Sequence, residues 1–241
     1  MRLAVLSDIH GNLEAFREVL DDLDCQQVDI VVSLGDNIGY GPEPEAVLRL
    51  LRARRIPSIC GNHEKGIADP SFLSWFNNSA RRSLDITREL LSDESILFST
   101  TLKPTLVVNG CLLVHGCPPD SINTYLFELS DEQVKDLIVA MEQSLCFVGH
   151  THELSLASFD GKEVRRSDLE EGFSYLPEGW KFIINTGSVG QPRDRDKRAK
   201  AVIWDDVSRL LEVRCVPYDI AKTAQRILDL GFPDINAKRL W

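Results

Sequence analysis

No stretch of this 241-residue chain is long and apolar enough to span a bilayer. The apolar run ahead of Ser7 and Asp8 is only four residues long and follows a single Arg, too little for a signal peptide, so a cytoplasmic location is expected. Positive charge is in deficit. With 27 Lys and Arg against 37 Asp and Glu the net charge is −10, which argues against binding a membrane surface or a nucleic-acid polymer. Any anionic ligand would need a local source of positive charge. The six cysteines (Cys25, Cys60, Cys111, Cys117, Cys146, Cys215) show no C-x-x-C spacing, and four sit inside apolar runs. They read as reduced, mostly buried thiols and not as a disulfide framework. Low-complexity stretches, internal repeats and long linkers are also missing. What remains, 43% hydrophobic and 27% charged, is a globular chain with a sizeable core.

Short apolar runs alternate with amphipathic stretches over the first two thirds, the pattern of strands joined by crossover helices. Residues 2–6 read as a buried strand, followed by a helix that Asn12 caps and whose face is Leu13, Phe16, Val19, Leu20 and Leu23. Residues 28–34 and 56–60 read as two further strands, flanking a helix whose apolar face includes Ala46, Val47, Leu50 and Leu51. Residues 70–102 are rich in helix signals and suggest an insertion or cap. Asn109-Gly110 between two apolar runs predicts an antiparallel hairpin, and Ser130 with Gln133 predicts a capping box opening a helix. Residues 146–148 read as one more strand. The later segments, LSLASFDGKEVRR, FIINTGS, AVIWDD and LEVRCV, suggest an antiparallel meander, with a last helix capped by Asp219. The expectation is one sheet fed by crossovers and a second closed by hairpins. No boundary divides residues 1–241, so a single domain is expected, with residues 219–241 as its C-terminal helix and tail.

All five histidines fall at the ends of strand candidates, in Asp8-x-His10, Asn62-His63, His115-Gly116 and His150-Thr151-His152. A lone histidine is more often structural than functional. Residues i and i+2 of an extended segment project to one side, however, so the Asp-x-His and His-x-His pairs can each grip one ion. Asp36 and Asn62 add oxygen donors after successive strands, at the edge where α/β sheets assemble their sites. Imidazoles, carboxylates and one amide with no thiolate suit Mn, Fe, Zn, Co or Ni. Seven donors (Asp8, His10, Asp36, Asn62, His115, His150, His152) are too many for one tetrahedral ion, and fit two ions sharing a carboxylate. Such ions would also supply the positive charge that an acidic chain lacks.

In order, the blocks SDIHGN, LGDN, GNHE, VHG and GHTH resemble those of the calcineurin-like metallophosphoesterases, and INTGSVGQPR is similar to a segment of their small bacterial and archaeal members. The resemblance spans residues 3 to about 190. It implies an α/β fold, a four-layer α/β/β/α sandwich of two mixed sheets flanked by helices. Asp8, His10, Asp36 and His152 would hold one divalent ion, and Asp36, Asn62, His115 and His150 the other, with Asp36 the bridge. Mn heads the expected ions, ahead of Fe, Zn, Ni and Co. A hydroxide held between the ions would hydrolyse small phosphate mono- or diesters. His63 would stay outside the metal shell as a general acid or transition-state contact.

The departures narrow the substrate. GDNIGYG carries Gly39 where the phosphoprotein phosphatases and diadenosine tetraphosphatases have an Asp that orients this histidine, which argues against both classes and leaves His63 without an identified orienter. Tyr40 lies four residues after Asp36, one too far to match the iron-binding Tyr of the purple acid phosphatases. Asn37 and Arg193 are the candidate substrate contacts, although Arg193 in RDRDKRAK reads equally well as a solvated side chain. Trp75 and Phe76 read better as core of the helical insertion than as substrate mouth. The expected partner is a small phosphate ester, with no membrane and no nucleic-acid polymer, and a homo-oligomer is left open. The alternatives are a phosphoprotein phosphatase and a non-catalytic metal-binding scaffold that binds proteins. A scaffold has no use for His63.

Overall fold

The computed structural model describes residues 1–241. The chain runs β1 (Arg2–Leu6), α1 (Leu13–Asp24), β2 (Ile30–Ser33), α2 (Pro44–Ala53) and α3 (Asn62–Ala68). A short 3-10 helix, Pro70–Trp75, leads to α4 (Asn78–Leu90) and α5 (Asp93–Thr101). Then come β3 (Thr105–Val108), β4 (Cys111–Val114), α6 (Asp131–Ala140) and β5 (Leu145–Val148). The last third holds β6 (Leu154–Phe159), β7 (Val164–Asp168), β8 (Gly172–Tyr175), β9 (Lys181–Thr186), β10 (Ala199–Asp205), β11 (Leu210–Val216), α7 (Ile220–Asp229) and α8 (Asp234–Lys238). None of these helices is long and apolar enough to cross a membrane.

The strands form two mixed sheets, in the orders β2-β1-β10-β11-β8 and β3-β4-β5-β9-β6-β7. Alternation along single strands stacks them. Leu3 and Val5 of β1 meet Leu145 and Phe147 of β5 in one buried cluster between the sheets. Ala4 and Leu6 turn the other way, onto Phe16, Val19 and Leu23 of α1, while Cys146 and Val148 pack on Val134 and Ile138 of α6. Helix, sheet, sheet and helix follow in that order. Five of the cysteines are buried free thiols in these layers, and Cys25 is exposed.

Local signals set several elements. Asn12, Ser130 and Asp219 cap α1, α6 and α7 through their side chains, and Gln133 completes the capping box on Ser130. Asn109 and Gly110, both at positive φ, turn β3 into β4. Other expectations need correction. Residues 56–60 form no strand: Pro57 has no N–H to donate, and only the bridge between Ser33 and Ser58 forms before the chain enters α3. The meander is not continuous either. β9 lies parallel to β5 in one sheet, whereas β10 and β11 belong to the other, so the loop 187–198 carries the chain across. Each sheet therefore combines parallel and antiparallel pairing, and crossovers and hairpins are not divided between the two. The strand β8 and the helix α8 also lie outside the sequence expectation.

Candidate metal centre

The loops after β1, β2, β4 and β5 meet at one edge of the sandwich, stitched by backbone hydrogen bonds. Asp8, His10 and Gly11 donate their N–H groups to Gly35, Asp36 and Asn37 at 3.1, 2.9 and 2.8 Å, and Gly149 donates to His115 at 2.8 Å. Val189 and Gly190 of the crossing loop add donations to Ser7 and Asp8. Within this weave Asp8, His10, Asp36, Tyr40, His150 and His152 all take positive φ, a conformation that non-glycine residues avoid. Backbone strain concentrated on the polar residues of one edge marks a functional site. Gly35 shows how close the loops come, since a Cβ there would sit 2.4 Å from the Gly61 nitrogen.

The side chains converge as ligand sets. Asp8, His10 and His152 bring their donor atoms within 4.8 Å of one another, and so do Asp36, His115 and His150, and His10, Asp36 and His63. His10 Nε2 lies 3.1 Å from His152 Nε2, and His115 Nε2 lies 3.1 Å from Asn62 Oδ1 and 3.3 Å from Asp36 Oδ2. Adjacent ligands about 2.1 Å from one ion sit roughly 3 Å apart. The second ring nitrogens settle the tautomers. His10, His115 and His152 donate Nδ1–H to the carbonyls of Ile38, Leu34 and Gln191, and His150 donates Nε2–H to Asn123. In their neutral forms the four rings thereby aim a lone pair inward, the arrangement that fixes metal-binding histidines. Asp8 Oδ1 is buried with no hydrogen-bond partner, while its Oδ2 accepts from Ser7 and the His150 N–H. The residues fit a divalent cation centre.

Burial alone would raise the Asp8 and Asp36 carboxyls, but the surrounding imidazoles outweigh it and hold both below the usual carboxylate range. Burial pushes His150 down to about 4 and His152 well below its ordinary value, keeping them neutral. On His115 burial acts the same way, yet the adjacent Asp36 lifts it to about 9. That proton occupies the direction in which a cation would sit.

Glu64, which the sequence reading passed over, organises this edge. Fully buried, it accepts N–H bonds from Asp36, Asn37 and Gly61 and the Asn37 side-chain amide, at 2.8, 2.7, 3.1 and 3.0 Å. Its place three residues after Gly61, in the first turn of α3, was the available signal. His63 sits beside it. Burial lowers its imidazole to about 3, and Nδ1 has no hydrogen-bond partner. Nε2 lies 3.9 Å from Asp36 Oδ2. No carboxylate orients the ring. Tyr40 and Phe76 pack edge-on to it, with centroids at 4.5 and 5.2 Å, and Gly39, at φ +85°, leaves room for it. A Cβ on Gly39 would meet Nδ1 at 2.0 Å.

A cleft of about 280 Å³ opens over Asp36, Asn62, His63, His150 and His152. Arg193 lines it, anchored by its N–H on the His152 carbonyl at 3.1 Å. Asn37 does not. It is fully buried beneath the floor, where its side chain accepts from Ser33 and donates to Ser58 and Glu64, so it supports the loop and has no route to a ligand. Trp75 departs from expectation, lining the cleft at 73% exposure, whereas Phe76 borders the cleft and also packs on the core cluster of Ile67 and Leu84.

Two stacked mixed sheets with a cation-fitting cluster on the loops at one edge define a metallophosphoesterase architecture. The profile of the calcineurin-like phosphoesterase superfamily domain matches residues 1–207, and the chain belongs to this family. An uncharacterised protein of Methanocaldococcus jannaschii is 34% identical over 244 residues, covering 99% of this chain and 97% of that one. A crystal structure of a metallophosphoesterase from Sphaerobacter thermophilus superposes with a TM-score of 0.84 at 32% identity, over 100% of this chain and 98% of that one. A hypothetical protein from Pyrococcus horikoshii shares the fold, with a TM-score of 0.81 at 18% identity, over 100% of this chain and 97% of that one.

Proposed function

We propose that the protein is a metal-dependent hydrolase of small phosphate mono- or diesters, and that it works through a dinuclear centre. The supporting observation is that Asp36 stands in two donor clusters, with His115 and His150 and with His10 and His63, that His10 also groups with Asp8 and His152, and that the other nitrogen of His10, His115, His150 and His152 is committed to a backbone carbonyl. Asp8, His10, Asp36 and His152 would hold one ion, and Asp36, Asn62, His115 and His150 the other, with Mn²⁺ first to test and Fe, Zn, Ni or Co after it. When bound, such ions neutralise phosphoryl charge and activate water. Around them, Arg193 pairs with a non-bridging phosphate oxygen, and His63 Nε2 serves the leaving oxygen as general acid once the bound anionic ester offsets the burial that otherwise keeps this imidazole neutral. Residues 1–241 act as one domain, with 70–102 as the cap.

Elemental analysis after Mn²⁺ reconstitution should approach two ions per chain and fall in Asp36→Asn. Saturation at one ion, unchanged by that substitution, refutes the shared carboxylate. His63→Gln should lower kcat by roughly 10² to 10⁴ with metal retained, and by less for p-nitrophenolate, which needs little protonation to leave. Equal losses for good and poor leaving groups remove the general-acid role. Small esters should exceed a phosphopeptide and single-stranded nucleic acid in kcat/KM. A tenfold preference for either macromolecule sinks the small-ester reading.

A further inference from the structure

We infer that the cleft is built for phosphate esters whose alcohol carries a flat aromatic ring, received between two aromatic walls that rise from the histidines of the floor. The inference rests on the phosphoesterase reading above and names its substrate class. One wall starts at His63 and climbs through Phe76, Phe72 and Trp75, with centroid steps of 5.2, 6.1 and 6.3 Å. The other starts at His150, on which Tyr125 stacks at 4.1 Å and 15°, and continues to Phe127 at 5.1 Å and 22°. All but Phe127 border the same cleft, as does Tyr40. Five of the chain's 18 aromatic residues thus fall among the 15 that line one opening, far beyond their 7% share of the sequence.

Of these rings Phe76 also packs on the core, whereas Trp75 is 73% exposed and Phe72 and Tyr125 are only half-buried. The 3-10 helix Pro70–Trp75 divides its apolar residues: Leu73 packs on the cluster of Ile67 and Leu84, while half-buried Phe72 and exposed Trp75 are left beside the cleft. An exposed apolar surface next to convergent polar groups is the usual make-up of a ligand site. Stacking favours a flat conjugated ring over an open alkyl chain or a bare sugar, which offer these walls less matching flat surface. Polar groups then sort the rings. Glu128 and Asn123 border the same cleft, so a ring with N–H donors on its edge is favoured there, and a second phosphate is disfavoured by the carboxylate. Arg193, whose charge reaches both Tyr40 and Tyr125, stands where the phosphate would lie. The chemistry is that of a nucleoside phosphate, with a simple aryl phosphate as the other source of a flat ring.

The test compares adenosine 5′-monophosphate, ribose 5-phosphate and phenyl phosphate, each as monoester and methyl diester, in Mn²⁺-loaded protein. Hydrolysis is followed by product release, and binding separately by tryptophan fluorescence, to which exposed Trp75 contributes. The adenosine esters should exceed the ribose esters by about tenfold in kcat/KM, within the range of one stacking contact. That ratio should collapse in Trp75→Ala and Tyr125→Leu and survive in Trp75→Phe. Because both esters are measured on each variant, a general loss of folding leaves the ratio unmoved. An adenosine preference over phenyl phosphate that falls in Glu128→Gln identifies the nucleoside. Parity with phenyl phosphate identifies a simple aryl group, and the aromatic subsite stands either way. Equal rates and equal binding for adenosine and ribose esters, or a ratio indifferent to Trp75 and Tyr125, overturn the proposal and leave the phosphoesterase intact. Ring-dependent quenching without hydrolysis of any ester does the reverse, and absence of both refutes the two together.

Discussion

Glu64→Gln keeps the shape of the side chain and changes only its hydrogen-bonding character. In the native protein each carboxylate oxygen accepts two N–H bonds, Oε1 from the Asn37 backbone and amide, Oε2 from the Asp36 and Gly61 backbones. An amide has one oxygen, so whichever way it flips its NH2 group faces two donors. Two bonds to a charged acceptor are lost, at roughly 1.5–3 kcal/mol each, and their buried N–H groups are left unsatisfied. Part of this is offset because a neutral group no longer has to be buried. Burial and the charge of Asp36 already push the Glu64 carboxyl above its ordinary value. The net loss then falls near the lower bound, about 3 kcal/mol, which at roughly 2 °C per kcal/mol for a chain of this length lowers Tm by about 6 °C. The same ladder places Asp36, so Mn²⁺ affinity should drop by about 10- to 100-fold, as for other groups that orient metal ligands. Scanning calorimetry gives the first number and competition with a fluorescent chelator the second. A Tm shift under about 2 °C with unaltered Mn²⁺ affinity would falsify the claim that Glu64 organises this edge.

Lys200 is 1% exposed, with its ammonium on the Asp196 and Arg198 carbonyls at 2.6 Å and the Asp194 carboxylate at 3.3 Å. Lys200→Met removes the donor from that half-buried acceptor set and should lower stability by about 1–3 kcal/mol in urea unfolding; a change within 0.5 kcal/mol, about the noise for a neutral surface substitution, speaks against it. Thiol labelling of the native protein should reach Cys25 alone, because burial pushes Cys60, Cys111 and Cys117 up to about 12 and the thiolate is the reactive form. Fast modification of a second native cysteine contradicts this. The Arg198 guanidinium holds the Asp196 carboxyl down to about 2, so the pair's stabilisation is present above the unfolded carboxylate value near 4 and is lost as pH falls from about 4 to 2. The pair is more than a third exposed, so the effect should stay under about 1 kcal/mol. Urea midpoints in that window should slope less steeply in Asp196→Asn than in the parent, and parallel slopes would rule the pair out.

Elements set by local chemistry were legible in the sequence. The caps at Asn12, Ser130 and Asp219 and the Asn109-Gly110 turn specify their geometry within a few residues, and each appears where the residues require it. Sheet membership was not legible, because it depends on pairing partners distant in the chain. Lys181–Thr186 and Ala199–Asp205 are both apolar β-rich runs, and nothing within either says that they belong to different sheets. Residues 56–60 mislead for a related reason. They are apolar enough for a strand, and only the missing Pro57 donor and the demands of the turn into α3 decide otherwise.

The floor and the walls of the cleft differ in how they can be read. A cation site demands residues of a few types at fixed spacing, so Asp8, His10, Asp36, Asn62, His115, His150 and His152 stand out in a chain with only five histidines. The groups that hold them are mostly backbone carbonyls, those of Leu34, Ile38, Asn123 and Gln191, which carry no side-chain signature at all. Asn37 was misplaced because its side chain can serve a loop or a ligand equally well, and only its burial against Ser33, Ser58 and Glu64 assigns it to the loop. The walls need only be flat and apolar. Trp75 and Phe76 meet that need with the same residue types that fill cores elsewhere, so both read as interior, and only placement separates exposed Trp75 from Phe76, which does pack on the core. The feature that would select the substrate is therefore written in residues whose role depends entirely on where the surrounding chain leaves them.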